Sequence, residues 1–174
     1  VLVGQLTFTE HSISLSANAV TSVYAVDIDS DGDMDVLSAS GDDDKIAWYE
    51  NDGSESFTEH VISDSADNAI AVYATDMDGD AAMDVLSASR KDDKIAWYEN
   101  DGSESFTEHV ISDSANFARS VYSVDMDSDG DMDVLSGSVQ DNKIAWYEND
   151  GSESFIEHVI SDSSDDVYTV YASD

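Results

Sequence analysis

The chain has 174 residues, with 40 acidic residues against 6 lysines and arginines, which gives a formal net charge of −34 at pH 7. This charge excludes nucleic acid as a partner and disfavours anionic membranes, because like charges repel. The absence of cysteine excludes disulfides and thiolate metal sites, and without an apolar run near the roughly 20 residues that span a bilayer, no membrane insertion is expected.

A repeat of 49 residues organises the chain. A Phe-(Thr/Ile)-Glu-His segment occurs four times, at Phe8, Phe57, Phe106 and Phe155. A longer segment, Lys-Ile-Ala-Trp-Tyr-Glu-Asn-Asp-Gly, occurs three times, at Lys45, Lys94 and Lys143. The copies are almost identical, so the sequence indicates an array of equivalent structural units.

Each unit contains four short apolar segments separated by turn residues, and in the first complete unit these segments are 23–27, 34–40, 45–51 and 57–63. Alternating apolar residues predict strands, Asp-Gly predicts a hairpin turn, and no segment has a convincing helical period. Four short strands per unit favour an all-β fold, a β-propeller built from four-stranded blades. A parallel β-helix is the alternative, although its coils are usually shorter.

The predicted blades divide the chain, as one repeat array, into a partial blade at 1–19, complete blades at 20–68, 69–117 and 118–166, and a partial blade at 167–174. The chain thus contains about 3.5 blades, which do not make a closed ring. The array is therefore expected to continue in a longer chain. Completion by a second copy in a homo-oligomer is the alternative.

The loop between the first two strands of each unit is acidic, and a glycine stands at its sixth position in the first and third copies. Carboxylates at positions 1, 3, 5 and 9, with the backbone carbonyl of position 7, suit the six to eight oxygen ligands of Ca²⁺. An EF-hand is excluded, because an EF-hand loop has a glutamate at its twelfth position and this chain has Ser38 there. The expected calcium ligands are Asp27, Asp29, Asp31, Asp33 and Asp35, then Asp76, Asp78, Asp80, Ala82 and Asp84, then Asp125, Asp127, Asp129, Asp131 and Asp133.

The second acidic loop departs from this pattern. Ala81 replaces the glycine at position 6, and Ala82 replaces the aspartate at position 7. Position 7 contributes only its carbonyl, so Ala82 should be harmless. Ala81 has to adopt a positive φ at a cost of about 1 kcal/mol. About three calcium sites are therefore expected, the one at 76–84 being the weaker.

An Asp-x-Asp-x-Asp-Gly-x-x-Asp loop between two strands, in units of about 50 residues, resembles the FG-GAP/VCBS repeats of integrin α-subunit-like propellers. The loops at 27–35 and 125–133 match this motif fully. The resemblance implies a calcium-bearing propeller, often of about seven blades, in an extracellular, secreted or cell-surface protein whose signal lies outside this sequence. It also implies that partners approach the face opposite the calcium loops.

The repeats differ mainly in the turns expected on that opposite face. Three of the six basic residues lie there, on adjacent blades. Function often resides on loops held by a rigid scaffold, so a ligand-binding role is one interpretation and neutral drift of exposed loops is the other. The candidate ligand-binding residues are Arg90, Lys91, Phe117, Arg119, Gln140 and Tyr168.

One histidine and one tryptophan recur in each unit. Stacked sheets lie about 10 Å apart, so histidines of different blades cannot share one ion, and a hydrogen-bonded structural role is expected. The tryptophans are expected in the core between blades. Their alternative role is sugar stacking, as in some fungal lectins with similar repeats.

These features predict a non-enzymatic, calcium-binding module for extracellular adhesion or recognition of a protein or carbohydrate ligand. The chain has no Gly-x-Ser-x-Gly nucleophile elbow and no phosphate-binding glycine loop with lysine, and its clustered carboxylates are assigned to calcium. The alternatives are a lectin with inter-blade Trp/Tyr pockets, a structural spacer of a surface protein or fibre, and a non-catalytic domain of a secreted hydrolase.

Overall fold

The structure is a computed structural model that describes residues 9–173. Twelve strands occur in this part of the chain, and no helix does. They are β1 (Val20–Val26), β2 (Asp35–Ser40), β3 (Lys45–Asn51), β4 (Phe57–Ser63), β5 (Ala69–Thr75), β6 (Asp84–Ser89), β7 (Lys94–Asn100), β8 (Phe106–Ser112), β9 (Ala118–Val124), β10 (Asp133–Ser138), β11 (Lys143–Asn149) and β12 (Phe155–Ser161).

The strands form three four-stranded antiparallel sheets, each built from four strands consecutive in the chain: β1 to β4, β5 to β8 and β9 to β12. The all-β prediction is confirmed, and the sheets are consistent with propeller blades. The third and fourth strands of the first complete unit have their predicted bounds. The first strand begins three residues earlier than predicted, because Val20 already pairs with Ser40 beyond a bulge.

The core lies between successive sheets, in two apolar clusters. Trp48 belongs to the cluster between the first and second sheets and Trp97 to the cluster between the second and third, and each is only 1% exposed. The prediction that these tryptophans are core residues is confirmed. Trp146, on the outer side of the third sheet, is less completely covered.

Tyrosines of the first strands form a column along one edge of the stacked sheets. Tyr24, Tyr73 and Tyr122 lie on β1, β5 and β9, and Tyr171 follows them. Successive ring centroids are 4.9, 4.8 and 4.9 Å apart. Burial, together with the neighbouring phenols, holds the pKa of Tyr73 well above its usual range. The column marks the inner edge at which the sheets approach one another.

Segment 167–173 forms no strand but packs on the third sheet as β5 packs on the first. The Val170 N–H donates to Ser120 Oγ at 3.0 Å, and the Val72 N–H donates to Ser22 Oγ at 3.4 Å. Segment 9–19 also contains no strand, and residues 1–8 of the partial blade predicted at 1–19 lie outside the described residues. Among residues 9–173 there is no helix long and apolar enough to cross a membrane.

The two ends of each sheet carry different loops, as predicted. The Asn68 carbonyl accepts a bond from the Arg90 N–H at 3.1 Å, and the Asn68 N–H donates to Asp44 Oδ1 at 2.8 Å. The loop between sheets therefore connects the β2–β3 turn of one sheet to the β6–β7 turn of the next. At the other end the acidic loops meet the β3–β4, β7–β8 and β11–β12 turns.

Candidate metal centres

Each acidic loop joins the first two strands of its sheet and brings three carboxylates to one point. Ligand atoms from positions 1, 3 and 9 lie within 4.8 Å of one another in every loop. A donor set of three carboxylates fits a hard divalent cation such as Ca²⁺. The three triads are Asp27, Asp29 and Asp35; Asp76, Asp78 and Asp84; and Asp125, Asp127 and Asp133.

The aspartate at position 9 is fully buried and holds the loop to its sheet. In the second loop, Asp84 Oδ2 accepts the Met77 N–H at 2.9 Å and Asp84 Oδ1 accepts the Asn100 N–H at 2.8 Å. The first and third loops repeat both bonds. This carboxylate therefore has a structural role that sequence reasoning did not assign. The partner is the asparagine that ends the third strand of each sheet, and the recurring Asn-Asp-Gly is the signal that could have identified it.

Positions 5 and 7 lie outside the triads. Asp31 Oδ1 accepts the N–H of Asp33 at 2.8 Å, and the other two loops make the same contact at 2.7 and 2.9 Å. The Asp33 carboxylate lies against Gly53 of the β3–β4 turn, where an added Cβ would be 2.5 Å from Asp33 Oδ2. Ligation by the carboxylates at position 5 and the carbonyls at position 7 stays a prediction.

Two positions of each loop, the fourth and the sixth, have a left-handed backbone. In the first loop φ is 62° at Ser30 and 97° at Gly32, and the third loop is equivalent. In the second loop φ is 79° at Gly79 and 78° at Ala81, so the predicted positive φ of Ala81 is confirmed. Each loop therefore contains one glycine and one strained non-glycine residue. In the second loop the glycine stands at position 4 and the non-glycine residue at position 6, so this loop has no more backbone strain than the other two. Backbone strain at Ala81 is therefore a poor reason to expect lower calcium affinity at this site.

Ala81→Gly should raise the free energy of unfolding of the calcium-free chain by about 0.5–1 kcal/mol, because glycine adopts a positive φ without a steric penalty. Urea denaturation in a chelator measures this change. Ala82→Gly is the matched control, since Ala82 is not among the residues with positive φ, and it should not stabilise the chain. Equal calcium affinities of the wild type and Ala81→Gly would contradict the weaker second site.

The triads are electrostatically unfavourable without a cation. Burial and then the repulsion of Asp35, Asp31 and Asp27 raise the pKa of Asp29, although a backbone N–H partly opposes this. Burial raises the pKa of Asp84 to about 6, against the opposing effect of its two backbone N–H donors. A bound divalent cation would favour the ionised carboxylates and relieve this repulsion.

Calcium affinity of the second loop should fall about tenfold between pH 7 and pH 5, because Asp84, whose pKa is about 6, must lose its proton to bind the ion. The folding stability of the calcium-free chain depends on pH in the opposite direction and should fall as pH rises. A raised folded-state pKa contributes stability below the unfolded pKa that is lost as pH rises through about 6. Calorimetric titration of a chain carrying Asp29→Asn and Asp127→Asn isolates the second loop, and an unchanged affinity at pH 5 would refute the expectation.

A second type of ligand set lies between the second and third sheets. Atoms of Glu99, His109 and Glu153 come within 4.8 Å of one another, and His109 Nε2 lies 2.7 Å from Glu99 Oε2. His109 also stacks on Trp97, with ring centroids 4.5 Å apart. The expected hydrogen-bonded role of the strand histidines is confirmed. Sequence reasoning missed Glu153, because this contact joins two different repeats.

Four of the six candidate ligand-binding residues form two stacked pairs. The Arg90 guanidinium carbon lies 4.6 Å from the centroid of the Phe117 ring, and that of Arg119 lies 4.2 Å from the Tyr168 centroid. The remaining two are exposed: Lys91 pairs with Asp67 at 3.5 Å, and Gln140 lies in the β10–β11 turn. The structure thus brings four of the six together as two stacked pairs.

The fold and the site together define a class of repeat protein: each repeat is a four-stranded antiparallel sheet with an aspartate triad in the loop between its first two strands. The FG-GAP-like repeat model matches residues 27–87, 76–136 and 125–174, and each match begins at the first aspartate of an acidic loop. The chain belongs to the FG-GAP-like repeat family, as the sequence resemblance predicted. FG-GAP repeats are generally non-enzymatic and typical of extracellular or surface proteins. A comparison with curated proteins finds no match.

Proposed function

We propose that this chain is a non-enzymatic, calcium-binding segment of a β-propeller that acts in extracellular adhesion or recognition. The observation that carries the proposal is the same aspartate triad in all three repeats, with ligand atoms within 4.8 Å. The second loop keeps this triad and its backbone bonds although Ala81 and Ala82 replace the glycine and an aspartate of the other two loops. The ion would be structural, because the position-9 aspartate of each triad also accepts the N–H of the last residue of the neighbouring strand and so joins two strands.

Recognition is assigned to the end of the sheets opposite the acidic loops. The repeats vary there, and the two loops that join successive sheets are each hydrogen-bonded to the turns of both sheets. Calcium fixes the hairpins at one end while variable side chains contact a protein or carbohydrate ligand at the other. Closure of a ring by further blades, in a longer chain or a homo-oligomer, is part of this proposal.

A lectin that stacks sugars on the repeated tryptophans receives less support. Trp48 and Trp97 are each 1% exposed, so a sugar could contact their faces only after the sheets had separated. The other alternative, a structural spacer of a surface protein or fibre, would bind no ligand. Binding measurements therefore distinguish it from a recognition module.

Calorimetric titration of the metal-free chain with Ca²⁺ tests the proposal. About three ions should bind per chain, and Asp127→Asn should remove one of them while the other two remain, because each triad is separate. Asp162→Asn is the matched control: this aspartate is exposed and lies outside the triads, so its replacement should leave the stoichiometry unchanged. Binding that is unaffected by Asp127→Asn would refute the assignment.

A further inference from the structure

A cavity of about 420 Å³ opens at the inner edge of the sheets, beside the tyrosine column. The first residues of β5 and β9, part of β1 and the extended segment 168–171 line it. One equivalent position from each of four successive repeats contributes to its wall. These four residues, which we call the variable ring, are Thr21, Ile70, Arg119 and Tyr168.

The variable ring contrasts with the residues just behind it. Two positions further along, all four repeats have valine, and three positions further along all four have the column tyrosine. Three of these valines and two of these tyrosines line the cavity, beside the four different side chains of the variable ring: a hydroxyl, an alkyl group, a guanidinium and a phenol. The differences between repeats at this cavity therefore lie in the four side chains of the variable ring.

Arg119 is unusual in this acidic chain because no carboxylate pairs with it. Each of the four lysines has a carboxylate oxygen within 4.0 Å, in residues 9–173. No such contact, and no side-chain hydrogen bond, joins Arg119 or Arg90 to another residue of that range. Arg119 stacks instead on the ring of Tyr168, which leaves the donors of its guanidinium available to a ligand.

The guanidinium of Arg90 adds a second positive charge near Arg119. Arg90 stacks on Phe117, and its Nε is buried without a partner. Burial, and then the nearby charge of Arg119, lower the pKa of Arg90. The two guanidinium groups therefore repel each other at a point where no described acid compensates them. An anion bound at this point would relieve the repulsion.

We propose that the variable ring binds a small ligand carrying a single oxyanion group, a carboxylate or a sulfate, which the Arg119 guanidinium holds by paired charge-assisted hydrogen bonds. The Tyr168 ring supplies an apolar face, whereas the Thr21 hydroxyl already donates to the Ala69 carbonyl at 2.9 Å and can only accept a hydrogen bond from the ligand. A polyanion is disfavoured, because the chain as a whole carries −34. This inference rests on the proposed recognition function and names the ligand chemistry of its variable end.

Titration calorimetry of the calcium-saturated chain tests this inference with three monosaccharide probes: glucuronate, galactose 6-sulfate and neutral glucose. We expect at least one anionic probe to bind about tenfold or more tightly than glucose, as a charged hydrogen bond implies. Which one binds more tightly identifies the oxyanion. Equal binding of all three probes, or binding of none, would overturn the inference.

Two variants locate the binding. Arg119→Ile places at this position the residue that its own repeat equivalent, Ile70, already has, and it should abolish the preference for the anionic probe. Lys143→Gln is the control, because it also removes one positive charge from the third sheet, while Lys143 pairs with Glu157 at 2.6 Å and does not line the cavity, and it should retain the preference. An unchanged preference in Arg119→Ile would overturn the inference.

The calcium stoichiometry of each variant separates this result from the proposed function. Arg119→Ile should still bind about three ions, because Arg119 contacts none of the aspartate triads. Absence of calcium binding with retained anion preference would reject the calcium module and keep the pocket. Normal calcium binding without an anion preference would reject the pocket alone.

Discussion

Asp84→Ala should lower the free energy of unfolding of the calcium-free chain by about 2–4 kcal/mol. Asp84 is 0% exposed, and its two oxygens accept the N–H groups of Met77 and Asn100. Alanine would leave both donors without a partner, at about 1–3 kcal/mol for each buried group. The loss of a buried charge offsets part of this cost, since burial raises the pKa of Asp84 to about 6.

Urea denaturation in a chelator at pH 7 measures this effect without any contribution from calcium. Asp80→Ala is the matched control in the same loop. Asp80 is exposed and accepts the N–H of Ala82 at 2.7 Å, and water can replace that bond, so a change below about 1 kcal/mol is expected. Equal effects of the two substitutions would contradict the structural role of position 9.

Removal of calcium should lower the melting temperature more than any single substitution outside the core. Binding at a free concentration of 100 times Kd stabilises a folded chain by about 2.7 kcal/mol per site. Three separate sites would together add about 8 kcal/mol on this basis. Removal also leaves uncompensated the burial and then the repulsion between carboxylates that raise the pKa values of Asp29, Asp78 and Asp127.

Thermal unfolding followed by circular dichroism, with excess Ca²⁺ and then with a chelator, measures this change. Mg²⁺ at the same concentration is the control, because it requires a tighter octahedral set of ligands and should stabilise the chain less. Melting temperatures that are equal in calcium and in chelator would contradict the calcium assignment.

The repeat and the acidic loops could be predicted from sequence because their signals are local. A period of 49 residues, alternating apolar residues and Asp-Gly turns predicted the strands. The spacing of the aspartates predicted five ligands in the first loop, of which the structure brings Asp27, Asp29 and Asp35 together. The bounds of β3 and β4 agree with the prediction, since polar turns limit both strands.

Features that depend on contacts between repeats could not be predicted in this way. The sequence gives no sign that Thr21 and Arg119, 98 residues apart, line one cavity, or that Glu153 approaches His109. The strain at Ser30 was also missed, because a serine at positive φ has no sequence signature comparable to a glycine. Such features follow from the packing of one sheet on the next.

The near-identity of the strands has a consequence for how the chain reaches its structure. β3 and β7 have the same sequence, as do β4 and β8, so β3 could pair with β8 through the same side-chain contacts that it makes with β4. The native partner has the advantage of proximity, because a short turn closes with less entropy loss. Closing the short turn between β3 and β4, rather than the loop of about 50 residues between β3 and β8, favours the native pair by roughly 2 kcal/mol. Connectivity, rather than side-chain recognition, therefore selects the partner of each strand during folding.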